Sequence, residues 1–186
     1  MKKSIVWILL PLLLYGCASD SNELTTAMEL RTKILRSSEC SFTAEVTADY
    51  EDRSFQYTAD CVTDKTGNLT FVLTGPATVA GISGTLTGEG GQLTFDDMAL
   101  EFPLSAEDLP SPISAPWIFM KALRGGYLAS AWKEEGNIAL SVDDTCLGED
   151  LRLDIRLDSE NLPDRAEILR DGIRILTLNV TKFAVS

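Results

Sequence analysis

Histidine is absent from this chain of 186 residues. Its absence removes the commonest general base and the commonest zinc ligand together. A serine or cysteine nucleophile has no imidazole to activate it, and the carboxylates are scattered over polar strand faces and turns, where solvated charge is the ordinary state. No catalytic residue, metal ligand or cofactor is therefore assigned, and the chain reads as a non-enzyme. Basic residues are scarce too, with 16 Lys+Arg against 28 Asp+Glu and a formal charge of -12. Such a protein lacks the basic patch that nucleic acid or an anionic lipid surface demands. No apolar run reaches the roughly 20 residues that cross a bilayer as a helix. Nor is there an internal repeat, a low-complexity tract or an interior linker, which favours one continuous domain.

What the chain does contain begins with Lys2 and Lys3 ahead of an apolar stretch over residues 5–15, the order of a secretory signal peptide. That stretch closes in Leu14-Tyr15-Gly16-Cys17, which resembles the bacterial lipobox. The resemblance implies cleavage before Cys17 and a diacylglycerol on its thiol, so that the protein is anchored to a bacterial membrane on the extracytoplasmic side. An ordinary cleaved signal followed by a chance cysteine is the plainer alternative. Loss of residues 1–16 takes Lys2 and Lys3 with it, so 14 basic residues face 28 acidic ones, a formal charge of -14. With that charge the acyl chains must do the anchoring, and two chains hold stably where one binds only marginally. Residues 17–22 are small and polar and read as a tether; residues 23–186 form the domain.

Along the domain, Leu24, Ala27, Met28, Leu30, Ile34 and Leu35 recur at three- and four-residue spacing, which predicts an amphipathic helix over residues 23–38. The period then falls to two. Even positions from Cys40 to Ala48 are apolar, and after a polar turn Phe55, Tyr57, Ala59 and Cys61 continue on odd numbers. A hairpin that pairs residue 40 with 61 satisfies this parity and sets the two thiols opposite one another, within reach of a disulfide. A Cys40–Cys61 bridge and two buried free thiols are both compatible with the pattern. Further strands are expected over residues 69–74, 77–80, 82–87 and 92–102, joined by tight links that leave no room for crossover helices, hence an antiparallel meander. Prolines at 103, 110, 112 and 116 interrupt it, and residues 116–123 then form a short, very apolar helix ended by Gly125-Gly126. That helix either plugs the open side of a curved sheet or acts as a lid over an apolar ligand. Strands resume over residues 127–133, 137–142, 151–157, 165–169 and 173–183, with hairpin turns at Glu135-Gly136 and Asp171-Gly172. The acidic run at residues 143–150 does not match the spacing of a calcium loop and reads as a solvated hairpin turn.

The order of helix, long meander, helical insert and closing hairpin, ending in residues 158–183, resembles the LolA/LolB superfamily of lipoprotein carriers. The resemblance implies an α+β, mainly β fold: a curved antiparallel sheet, an incomplete barrel of about ten strands, covered by an N-terminal helix and a short inserted helix. It also implies a cavity that accepts acyl chains, and none of the family's functional residues maps onto a position here. From the residues themselves, the inward candidates for a ligand cavity are Phe42, Val46, Phe55, Tyr57, Phe71, Trp117, Phe119, Met120, Trp132, Leu140 and Leu153. About ten strands enclose more volume than a compact core fills, yet apolar stripes of this kind are also what a core is made of. Two functions follow. One is a membrane-anchored lipoprotein that binds a lipid, an acylated protein or another apolar ligand; the other is a non-catalytic interaction or envelope-sensing module with a filled interior.

Overall fold

The computed structural model describes residues 21–50, 53–96, 98–106, 109–146 and 148–186. Cys17, the leader and most of the tether lie outside the described residues. The chain opens with α1 (Ser21–Arg36), so the tether gives way to helix two residues earlier than the sequence suggests. Four antiparallel strands follow: β1 (Glu39–Tyr50), β2 (Arg53–Asp64), β3 (Leu69–Gly75) and β4 (Ser83–Leu86). The stretch expected as a strand at residues 77–80 is instead a turn, in which the Val79 and Ala80 amides both donate to the Pro76 carbonyl. The stretch expected as one strand over 92–102 is a hairpin, β5 (Gly91–Phe95) and β6 (Met98–Phe102), with Asp96 at φ 47° in the turn. A two-strand ribbon, β7 (Ser105–Ala106) and β8 (Leu109–Pro110), and a short 3-10 turn lead into α2 (Ala115–Gly125). The chain closes with β9 (Tyr127–Glu134), β10 (Asn137–Cys146), β11 (Glu149–Leu157), β12 (Pro163–Arg170) and β13 (Ile173–Val185).

One sheet of 11 strands results, in the order β6-β5-β4-β3-β2-β1-β13-β12-β11-β10-β9, with all pairs antiparallel and the ends unjoined. It is built from two meanders welded by β1 and β13, the first and last strands of the chain. The period of two puts one set of side chains inside: Phe42, Ala44, Val46 and Ala48 on β1, Leu151, Leu153, Ile155 and Leu157 on β11, all buried. On β11 the intervening charges face out, and Arg152 holds Asp143 at 2.7 Å across the strand pair. A bulge at Lys182, where φ is 54°, shifts the β1–β13 register and brings Phe183 to the inner face. The turns Glu135-Gly136 and Asp171-Gly172 both carry two consecutive positive φ angles, as a two-residue hairpin requires.

The β1–β2 hairpin corrects the expected disulfide. Tyr50 pairs with Arg53, so Cys40 stands opposite Thr63 and Cys61 opposite Phe42, a two-residue slip that preserves parity but separates the thiols. Tyr50 fits this register. It ends the strand instead of entering the turn, and its hydroxyl donates to the Pro110 carbonyl, while the Tyr57 hydroxyl donates to Pro112 at 2.9 Å. Cys40, Cys61 and Cys146 are all free and buried. Burial raises the Cys61 thiol to about 12 and the Cys146 thiol to about 11. A form beginning at Ala18 is therefore expected to take up no iodoacetamide at pH 8 until denatured, and then three equivalents. Uptake of only one equivalent by the unfolded protein, as a Cys40–Cys61 bridge would leave, would contradict the hairpin register, and rapid labelling of the native protein would contradict the burial of the thiols.

Candidate functional site

The inner face of the sheet is covered unevenly. Buried on α1 are Glu23, Ala27, Leu30 and Ile34, about one turn apart on a single side, whereas Leu24, Met28 and Leu35 of the expected apolar stripe are exposed; α1 packs against β9. α2 packs against β10 and β13. It is fixed at both ends and along its length. Arg31 of α1 donates from Nε to the Leu123 carbonyl at 2.8 Å and from Nη2 to Ala122 at 3.3 Å, placing a cation on the negative end of α2. Trp117 donates its indole N–H to the Gly67 carbonyl at 3.2 Å, and Arg124 reaches Lys65 at 2.7 Å. Both anchors lie in the β2–β3 turn, which Asp64 braces by accepting from the Thr66 and Asn68 amides. On the other flank Lys121 pairs with Asp144 at 2.6 Å.

With α2 so held, the space beneath it is filled. Of the cavity candidates, Phe42, Val46 and Tyr57 on β1 and β2, Phe71 on β3, Trp117, Phe119 and Met120 on α2, and Leu140 and Leu153 on β10 and β11 are all buried in one continuous core. Phe119 sits edge-on to Phe42 at 5.7 Å and to Phe183 at 6.5 Å. The other two candidates lie elsewhere. Phe55 is half exposed near the turn end of the β1–β2 hairpin, its ring against Tyr50. Trp132 pairs with Ala139, and Ala139 neighbours the inward Leu140, so Trp132 belongs to the outer face. The groups that titrate here are held neutral: burial raises Tyr50 to about 12 and Tyr57 well above its ordinary value.

Beyond β3 the cover stops and the apolar inner face continues. Pairing places Leu93 opposite Leu100, Phe95 opposite Met98 and Gly91 opposite Phe102, all on the side that carries Phe71 and Leu86. Leu86 is fully buried, whereas Phe95 is 50%, Leu100 65% and Met98 69% exposed. The result is an apolar ledge on the last hairpin, continuous with the core and open to solvent. Side chains at its root lie flat over glycines: a Cβ on Gly84 would meet the Phe71 ring at 2.7 Å, and one on Gly91 the Phe102 ring at 2.3 Å. Apolar clusters of this kind on an otherwise charged protein mark places where something else binds. The ledge residues were not singled out by the sequence pattern, because reading residues 92–102 as one strand hides the hairpin that puts Leu93, Phe95, Met98 and Leu100 on one side.

In the acidic run after Val142, Asp143 pairs with Arg152, Asp144 with Lys121 and Glu149 with Arg170, and Asp150 accepts from Thr145 at 2.8 Å. Arg152's hydrogen bond holds the Asp143 carboxyl below its ordinary range against the effect of burial. Among the described residues no group of three or more acidic or thiol side chains is placed to hold a metal ion.

No family model and no curated protein matches the sequence. Solved structures do. A domain from Vibrio parahaemolyticus, provisionally assigned as an outer membrane lipoprotein-sorting protein domain, is similar at TM-score 0.50 and 10% identity, over 88% of this chain and 92% of that one. An uncharacterized conserved protein from Thermus thermophilus is similar at TM-score 0.47 and 14% identity, over 87% and 88%. A LolA superfamily protein from Nitrosomonas europaea is similar at TM-score 0.45 and 10% identity, over 91% and 94%. At these identities the likeness is one of fold. The Vibrio domain shares the open antiparallel sheet crossed by helices, the architecture that the layout of the chain implies.

Proposed function

We propose that this protein is a lipoprotein anchored through Cys17 to the extracytoplasmic side of a bacterial membrane, and that it binds an apolar ligand, a lipid or an acylated protein, without catalysing a reaction. The ledge carries this reading: Leu93, Phe95, Met98 and Leu100 extend the inner face past the helices and leave it open. Desolvation supplies the affinity, at about 0.8 kcal/mol for each methylene buried. An acyl chain laid across β5 and β6 is thus held by its own hydrophobicity. The fold shared with a lipoprotein-sorting domain supports the same reading. On this reading the ligand lies outside the core and not in a cavity beneath α2.

A second reading draws on the filled interior. A half-barrel occupied by its own side chains suits a protein-interaction or sensing module, with the ledge as the surface that meets its partner.

Native mass spectrometry separates them. A form beginning at Ala18, purified from a bacterial host and sprayed gently, is expected to carry lipid of defined mass, and the full chain from membranes a diacylglycerol adduct on the peptide that starts at Cys17. A bare mass that stays bare after incubation with membrane extract removes the ligand reading and leaves the partner reading. An unmodified Cys17 removes the anchor.

A further inference from the structure

The outer face of the sheet is mostly charged, with a few apolar or aromatic side chains set into it, among them Val72, Tyr127 and Trp132. Trp132, 37% exposed, stands on edge strand β9. Directly across from it is Ala139, and across from Ala139 on the next strand is Arg156. The small side chain between two large ones leaves a notch, and the notch is part of a groove of about 350 Å³ whose walls carry four carboxylates, Glu134, Glu135, Asp154 and Glu167, against Arg156 and Arg165, with the Asn137 amide at one end. The charges in it are already oriented. Arg156 forks onto Asp164 at 2.7 and 2.9 Å, Arg165 holds Glu167 at 2.8 Å, and Ser141 donates to Asp154 Oδ1 at 2.8 Å. Arg174 adds a second contact to Glu167 at 3.2 Å.

These features select a ligand class. Both arginines are neutralised by their own carboxylates, so the groove offers no unpaired cation to hold a phosphate. It presents guanidinium and amide donors next to carboxylate acceptors, all on rigid strands, beside one flat aromatic wall. A ligand with hydroxyls that both donate and accept, and with an apolar C–H face to lie on an indole, meets all of these at once. We infer that the groove beside Trp132 is a second binding site, on the face opposite the ledge, and that it takes a neutral saccharide of about one or two pyranose rings. This site is independent of the ledge and of the acyl anchor.

The form beginning at Ala18 contains two tryptophans, Trp117 and Trp132, so its two indole N–H signals in a 1H–15N spectrum report the two faces separately. Titration with chitotriose, cellotriose and maltotriose is expected to shift the Trp132 signal saturably with at least one of them, while Trp117, bonded to Gly67, stays still. Trp132→Phe should retain binding, Trp132→Ala should abolish it, and Asp154→Ala should weaken it by about ten-fold. A ledge variant, Leu100→Asp, should leave it unchanged. Thermal unfolding of each variant checks that the fold is kept. No movement of the Trp132 signal by any of the three sugars up to about 20 mM would overturn the assignment. So would a lysine hexapeptide that shifts Trp132 at lower concentration than any sugar, since the groove would then be a site for a basic partner.

Discussion

Replacing Phe119 by alanine is expected to destabilise the protein by about 3–5 kcal/mol, the largest loss from any single substitution considered for this fold. Phe119 is fully buried and its ring is the centre of a cluster with Phe42 and Phe183, which are themselves stacked at 5.9 Å. The three rings come from α2, β1 and β13. Their contact joins the inserted helix to the two strands that weld the meanders together, so truncation opens a cavity where the sheet cannot collapse to refill it. For a domain of this size such a loss lowers the melting temperature by roughly 6–20 °C. The denaturant midpoint should fall with the slope unchanged, as for a core defect that leaves the unfolding cooperative. The same substitution also discriminates between functions. If the space under α2 held a ligand instead of a core, Phe119→Ala would cost about 1 kcal/mol or less and would alter binding instead.

The opposite pattern is expected at the ledge. Met98→Asp combined with Leu100→Asp should weaken lipid binding at least about 100-fold while the melting temperature moves by no more than about 2 °C. Each of these side chains contributes roughly 1.5–3 kcal/mol when a ligand covers it, and together they exceed the 2.7 kcal/mol that corresponds to a factor of about 100. Both are more than 60% exposed in the free protein, so little native burial is lost. They pair with Phe95 and Leu93, so no carboxylate is placed opposite another. Ala99→Asp is the control. It lies on the same strand with its side chain on the outer face, and it should leave binding intact. Lipid retained by the double variant at wild-type stoichiometry would remove the ledge from the site. Binding lost equally in Ala99→Asp would show that damage to edge strand β6, and not loss of apolar contact, was responsible.

Several features were legible from local pattern alone. The period of 3.6 in α1, the period of two in β1, β2 and β11, the turns at Glu135-Gly136 and Asp171-Gly172, and the proline-marked start of α2 all depend on residues within a few positions of one another, and each is present where expected. Link length likewise set the antiparallel character of the sheet, because links this short cannot return a chain in parallel. Two readings changed through local turns, after Pro76 and at Asp96; the others that changed concern which distant residue meets which. Cys40 and Cys61 share the face that parity assigns them, but their register goes with a turn-end Tyr50 that reaches Pro110, 60 residues away. Trp132 follows the period of its strand, yet only the pairing with Ala139 reveals which face that is. The same holds for apolar side chains as a class. Phe42, Phe71, Leu93 and Leu100 all lie on the inner face, and no property of the residues themselves separates the buried pair from the rest. What separates them is where α1 and α2 stop, and that position follows from the bonds of Arg31, Trp117, Arg124 and Lys121 to elements far along the chain. The period of the chain thus decided which side chains face inward, a matter of neighbouring dihedrals. Whether an inward side chain becomes core or ledge was decided by coverage, which exists only once the whole chain has folded.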